Sequence, residues 1–259
     1  MKSRLLVAAV GVPLILLVIL WAPVMVLELA LALLAGIGAW ELMKCIGADS
    51  AWKGMAAAFA LLAVACRTFY GPLVMLYAII FFASAVRKGG EVKFIQILSA
   101  LFGVIVLPYA FASFLRLNDM GYHRAFLLLP LIFSFCSDTF AYFAGRAFDK
   151  HKLAPKVSPN KTVEGSIGGL LGNAAGGVVF ALVMNTWFGQ SIGYAGMAVL
   201  GLGCSVVAQL GDLSFSLIKR EFGIKDYGKL FLAHGGVLDR FDSVLFVAPV
   251  LAMLMPVLL

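Results

Sequence analysis

Charge is scarce in this chain. Asp, Glu, Lys and Arg make up 13% of its 259 residues, against roughly a quarter in soluble domains. With 63% hydrophobic residues and a mean hydropathy of +1.02, a soluble globular domain is excluded and an integral membrane protein is indicated. Cysteine is as thin. Cys45, Cys66, Cys136 and Cys204 lie far apart in or beside apolar runs, with no CxxC pair and no His nearby in sequence, which argues against a disulfide framework and a Cys-ligated zinc. The chain shows no convincing internal repeat, no low-complexity stretch and nothing that reads as a separate soluble domain. Lys2 and Arg4 precede an apolar run from Leu5 to Trp21 with no convincing small-residue cleavage site after it, so this run reads as a first span.

What the chain has in quantity is apolar runs. A bilayer core takes about 20 apolar residues per helix. On that ruler nine candidates appear, at approximately 5 to 22, 24 to 43, 54 to 68, 70 to 86, 94 to 115, 125 to 146, 166 to 188, 192 to 218 and 241 to 258. Cytoplasmic loops are enriched in Lys and Arg. With the N-terminus in the cytoplasm, 17 of the 20 Lys and Arg residues fall inside and only Arg67, Arg116 and Arg124 fall outside. The expectation is an all-α polytopic bundle of about nine transmembrane helices, N-terminus in and C-terminus out. The net charge of +7 then lies mostly on the cytoplasmic face, where it suits anionic headgroups or nucleotide phosphates.

The charges that remain are concentrated. Ser216 to Ser243, SLIKREFGIKDYGKLFLAHGGVLDRFDS, sets five cations, four acids, a His and a Gly pair between two apolar runs. Ionisable groups beside membrane segments mark function by default. At the end of the eighth span, Asp212, Ser216 and Lys219 are spaced i, i+4, i+7 and share a helical face. Asp212 needs a cation, and an internal pair with Lys219 or Arg220 would satisfy it structurally. Asp239, Asp242 and Ser243 share a face if the ninth span is helical from its start, and either acid could also be a simple helix cap. Oxygen ligands from several elements suit Mg²⁺, which takes one or two carboxylates and leaves the rest to water and phosphate. Asp212 and Asp239 are the natural pair. Gly235 and Gly236 allow a backbone to approach phosphate closely, while His234 by itself reads more readily as a structural loop residue. Lys219, Arg220, Lys225 and Arg240 surround this region, and Arg can clamp phosphate with two parallel hydrogen bonds.

Upstream, Asp138, Tyr142 and Gly145 repeat the i, i+4, i+7 pattern on the sixth span. A loop carrying four lysines and His151 follows and ends in Ser158 to Gly165, SPNKTVEG. Its hydroxyls, amide and Lys161 stand ahead of a helix start, which suits an anion but is equally a helix cap with Thr162 as cap residue. Glu28 and Glu41, in the second span, receive no chemistry from their context and read as helix-end or bundle-interior acids.

Taken together these residues resemble the membrane CDP-diglyceride synthetases, or phosphatidate cytidylyltransferases. The resemblance is carried by Ser216, Lys219, Arg220, Lys225, Asp226, Gly228, His234, Gly235, Gly236, Asp239, Arg240 and Asp242, and upstream by Asp138, Ala141, Tyr142, Gly145, Ser158, Pro159, Lys161, Thr162, Glu164 and Gly165. It covers at least the C-terminal half. The chain departs from the family pattern in two places: Leu232 and Ala233 stand where Pro or Gly, followed commonly by Gly, is usual before the His, and Asp149 stands where Gly is common.

The resemblance implies transfer of CMP from CTP to phosphatidate with Mg²⁺, and a second cation is a further expectation. The chain is expected to form a single integral membrane domain, with N-terminal spans over about 1–120 and catalytic spans and loops over about 121–259. The expected catalytic set is Asp212, Lys219, Arg220, Lys225, Asp226, His234, Asp239, Arg240 and Asp242, with metal on Asp212, Asp239 and Asp242. Substrate is expected at Asp138, Tyr142, Ser158, Asn160, Lys161, Thr162, Glu164, Ser216, Gly235 and Gly236. The partners expected are CTP, phosphatidate, the bilayer and a second copy of the chain, without nucleic acid. The site should face the cytoplasm from a bacterial inner membrane. A CTP-dependent lipid kinase and a secondary transporter are the rival readings; the transporter lacks paired helix interruptions in two halves.

Overall fold

The computed structural model describes residues 2–89, 92–148, 150–228, 230 and 235–259, with backbone alone for 2–10. The protein is built from helices: α1 Lys2–Leu20, α2 Val24–Cys45, α3 Ser50–Ala65, α4 Tyr70–Arg87, α5 Phe94–Asp119, α6 Leu129–Phe148, α7 Val163–Trp187, α8 Tyr194–Glu221, α9 Leu238–Phe241 and α10 Val244–Leu258. Short 3₁₀ turns precede α4 at Arg67–Phe69 and α6 at Arg124–Leu128. Among the described residues, six helices are long and apolar enough to cross a membrane: Val24–Cys45, Arg67–Arg87, Phe94–Asp119, Arg124–Phe148, Val163–Trp187 and Tyr194–Glu221. Gly11–Leu20, Ser50–Ala65 and Val244–Leu258 are shorter apolar helices.

Two local expectations change. The ninth span is not one helix from its charged start, because α9 stops at Phe241 and α10 opens at Val244. The Asp242 carboxylate accepts from the Ser243 amide at 2.8 Å, a local side-chain bond that competes with continued helix. The loop after α6 contains a hairpin, β1 Lys152–Ala154 antiparallel to β2 Ser158–Thr162, with Lys152 opposite Thr162 and Ala154 opposite Ser158.

The chain forms two compact units, Met1–Arg124 with Glu221–Phe241, and Ala125–Arg220 with Asp242–Leu259. In the first, α2, α3 and α5 pack through small residues. Ala32, Ala35 and Ala39 on α2 and Ala56, Ala60 and Ala63 on α3 are fully buried, the small-residue contact expected where lipid offers no hydrophobic drive to association. Trp52, Tyr77 and Phe81 close the α3–α4 contact, with the Trp52 and Phe81 rings 4.6 Å apart. Asp49 caps α3 by accepting from the Trp52 amide at 2.9 Å. It also pairs with Lys88, whose ammonium lies 4.5 Å from the Trp52 ring centre. At the opposite end of α3, Arg67 pairs with Asp119.

In the second unit α6 and α7 lie unusually close. A Cβ at Gly168 would run into the Ala144 side chain, and one at Gly172 into the Phe140 ring. Glycine is therefore required at both positions by the approach of the neighbouring helix. Ser137 and Ser205 share a hydrogen bond of 2.9 Å between α6 and α8. Gln209 on α8 donates to the Ser166 carbonyl and to Ser205 Oγ, both at 3.2 Å. Large apolar side chains such as Leu171, Trp187 and Met253 are exposed on these helices, as hydrocarbon-facing surfaces should be.

Candidate functional site

The second unit holds a pocket of about 520 Å³ where α6 ends and α7 begins. The helical face read from the sequence lines one wall, with Asp138, Tyr142, Gly145 and then Arg146. The hairpin supplies Lys152, Asn160, Lys161 and Thr162, and Ser166 and Gln209 complete the lining. Thr162 is the N-cap of α7, accepting from the Gly165 amide at 3.0 Å, so β2 enters the helix directly and carries Lys161 into the pocket. A Cβ at Gly145 would sit 2.8 Å from Thr162 Oγ1, and one at Gly165 would sit 2.7 Å from the Ala141 carbonyl oxygen. Those two glycines let hairpin and helix meet.

Asp212 meets a cation here that its own helix does not supply, Lys161 of the hairpin. The two side chains pair, each 24% exposed. Ser216 donates to the other Asp212 oxygen at 3.4 Å, one turn further along α8. Arg220 instead donates to the Val157 carbonyl at 3.4 Å, tying the end of α8 to the hairpin turn. A Cβ at Gly211 would lie 2.7 Å from the Asp242 carbonyl oxygen, which sets Asp242 against α8 beside Asp212. Asp138, Asp212 and Asp242 lie within electrostatic reach of one another, with Lys161 acting on Asp138 and Lys219 on Asp242.

The other expected residues divide by position. Glu164 accepts from the His151 amide at 3.2 Å and pairs with its Nδ1 at 2.6 Å. It fastens the hairpin to α7, and neither it nor Ser158 nor Ser216 lines the pocket. Lys225, Asp226, Gly235, Gly236, Asp239 and Arg240 belong to the first unit. There Asp239 Oδ2 accepts from the Tyr227 amide at 2.8 Å and the Gly236 amide at 2.9 Å. Gly235 has φ of 83°, a left-handed conformation that glycine adopts without penalty. His234, Leu232, Ala233 and Asp149 lie outside the described residues.

Four residues of the pocket lining were not anticipated, nor was Glu41 in the first unit. Arg146 donates to the Tyr142 hydroxyl at 3.1 Å and, with Lys152, adds cationic groups to the pocket. Gln209 and Ser166 close its inner end. Arg146 is i+4 from Tyr142, so the same helical spacing could have found it; Gln209 gave no signal beyond being polar within a span. Glu41, in the first unit, is buried and accepts from two backbone amides of the Gly-rich segment.

Mg²⁺ can be tested against this donor set. Among the described residues no three His, Cys, Asp or Glu side chains converge closely enough to hold an ion by themselves. Asp212 and Asp242, with Asp138 nearby, offer hard oxygens only, and Mg²⁺ ordinarily takes one or two carboxylates with the remainder from water and phosphate. The residues fit that arrangement. A polytopic helical membrane protein with a cation-lined, carboxylate-bearing pocket at its helix ends is the class that fold and site define.

The chain belongs to the cytidylyltransferase family, whose sequence profile matches residues 2–258. It is 38% identical over 161 residues to the phosphatidate cytidylyltransferase of Staphylococcus saprophyticus, covering 61% of this chain and 60% of that one. To the protein of the same name from Bacillus subtilis it is 40% identical over 169 residues, 64% of this chain and 58% of the relative. To that of Haemophilus influenzae it is 44% identical over 129 residues, 49% and 45% of the two chains. The chain thus spans less than two thirds of the length of these curated relatives.

Proposed function

We propose that the chain is a phosphatidate cytidylyltransferase, transferring CMP from CTP to phosphatidate to give CDP-diacylglycerol and pyrophosphate in phospholipid synthesis. The observation that carries this reading is the second unit's pocket, where Arg146, Lys152 and Lys161 stand beside Asp138 and the Asp212 carboxylate. The names of the relatives support it. In the reaction a phosphomonoester oxygen of phosphatidate attacks the α-phosphorus of CTP, and the bond from that phosphorus to the bridging β-phosphate oxygen breaks. The nucleophile is already anionic, so no general base is required. What catalysis needs is two polyanions held in line with their charge offset. Lys161, Arg146 and Lys152 meet phosphate oxygens, with Asn160 and Thr162 along the same wall. Lys219, Arg220, Lys225 and Arg240 serve the same reaction as phosphate-neutralising groups, and Asp239 shapes the loop through the Tyr227 and Gly236 amides. Mg²⁺ would be held by Asp212 and Asp242, with Asp138 beside them, and would supply charge neutralisation on phosphate oxygens.

In the proposed topology the chain crosses the membrane nine times from a cytoplasmic N-terminus. The 17 to 3 division of Lys and Arg supports it, and the pocket then faces the cytoplasm, where CTP is available. The deciding experiment incubates purified protein with labelled CTP, phosphatidate and Mg²⁺. CDP-lipid with pyrophosphate is the expected outcome; CDP with lipid phosphate would make the protein a kinase, and neither product would overturn the reading.

A further inference from the structure

We infer that Glu41, on α2, is a positioning residue for the Gly-rich segment 235–240, setting the backbone from which Asp239 and Arg240 project. This rests on the reading above that the segment serves the transferase reaction. Glu41 is 5% exposed and lies in an apolar span, where an acid is retained only against a considerable desolvation cost. Its two oxygens are committed separately. Oε1 accepts from the Val237 amide and Oε2 from the Leu238 amide, each at 3.0 Å. Such paired acceptance requires a carboxylate, because an amide side chain offers one acceptor and turns a donor toward the second N–H.

The carboxylate also fixes where two glycines meet. A Cβ at Gly228 or at Gly236 would run into Glu41 Oε1, and one at Gly228 would also lie 3.1 Å from the Gly236 Cα, so the two glycines pack directly against each other with the acid lying against both. Asp239 Oδ2 binds the Tyr227 and Gly236 amides and so ties the same two stretches of chain together. Glu41 and Asp239 therefore hold this junction from two sides. One turn earlier on α2, Gly38 receives Leu238, whose Cδ2 lies 3.1 Å from where a Gly38 Cβ would be. Two positions of α2, spaced i and i+3, thus seat the segment, one by shape and one by hydrogen bonds.

The test compares E41Q, E41D, G236A, the E41D/G236A pair and D239N in the purified full chain. Turnover, both KM values, thermal unfolding and monodispersity are measured on each. E41Q should lose turnover by about tenfold in protein that stays folded and monodisperse at the assay temperature, its unfolding temperature lowered by no more than a few degrees, the effect of one lost charge-assisted bond at the segment. G236A should be severely impaired, and E41D, shorter by one methylene, should restore part of its turnover by withdrawing the carboxylate that the added methyl would strike. A merely structural glutamate would lower stability in step with turnover and give no such rescue; that pattern, or full turnover in E41Q with D239N inactive, overturns the inference. Full turnover in D239N would instead overturn the assignment of the segment to the reaction.

Discussion

The pair between Lys161 and Asp212 allows stability and turnover to be separated. K161M removes the ammonium, keeps most of the chain volume and leaves Asp212 facing Asp138 and Asp242 without the Lys161 charge. Losing one partner of a buried pair costs about 3–5 kcal/mol, but each of these side chains is 24% exposed, so solvent screening reduces the loss to about 1–3 kcal/mol. At about 2–4 °C per kcal/mol for a protein of this size, the unfolding temperature in detergent should fall by a few degrees to about ten. D212N should cost a similar amount, since it strands the ammonium. K161M/D212N carries neither charge and should recover most of the lost stability, a coupling of about 1–3 kcal/mol. Turnover should recover in none of the three, because the charge-neutralising and oxygen-donating groups stay absent. Thermal unfolding and a CDP-lipid assay on the four proteins measure both quantities. Additive destabilisation in the double variant, or restored turnover in it, would refute the reasoning.

Three further expectations concern other parts of the fold. G168A drives a methyl into Ala144 and should destabilise by about 1–3 kcal/mol, as overpacking does; A144G in the same protein should return most of that loss in thermal unfolding. T162A removes the α7 cap and should cost about 0.5–2 kcal/mol, whereas T162S should stay near the parent in the same measurement. The hydrogen bond from Lys88, followed by that from the Trp52 amide, holds the Asp49 carboxyl below its ordinary range. A depressed folded value means that this contribution is present above the unfolded carboxylate range and is lost as pH falls through the folded value. D49N should therefore remove a part of the acid-induced drop in unfolding temperature, and an unchanged pH profile would count against the pair.

The pocket's helical wall was legible because α-helical spacing is local. Asp138, Tyr142 and Gly145 share a face at any α6 orientation, and Thr162 acts as the cap its sequence position suggests. The partner of Asp212 was not legible. Lys219 and Arg220 are near in sequence, but the hairpin folds Lys161 back over α8, and the pairing of β1 with β2 leaves no periodic signal in so short a loop. The ninth span misled because its apolar content runs through a break, and the Asp242 bond to the Ser243 amide is invisible to hydropathy. Glu41 was set aside for a related reason. Its partners are backbone amides nearly two hundred residues away, which no side-chain pattern marks.

The sequence by itself determined the medium, the helical class and the location of the charge, because hydrophobic transfer and the 3.6-residue period depend on composition and neighbours along the chain. It also pointed toward the phosphate chemistry proposed above, through which cations and carboxylates it keeps beside its spans. Only the tertiary structure decided which charges meet what: Lys161 with Asp212, Asp242 against α8, and Glu41 against Gly228 and Gly236. Those contacts depend on how closely helices approach and where a hairpin folds back, and both are set by packing between segments far apart in the chain.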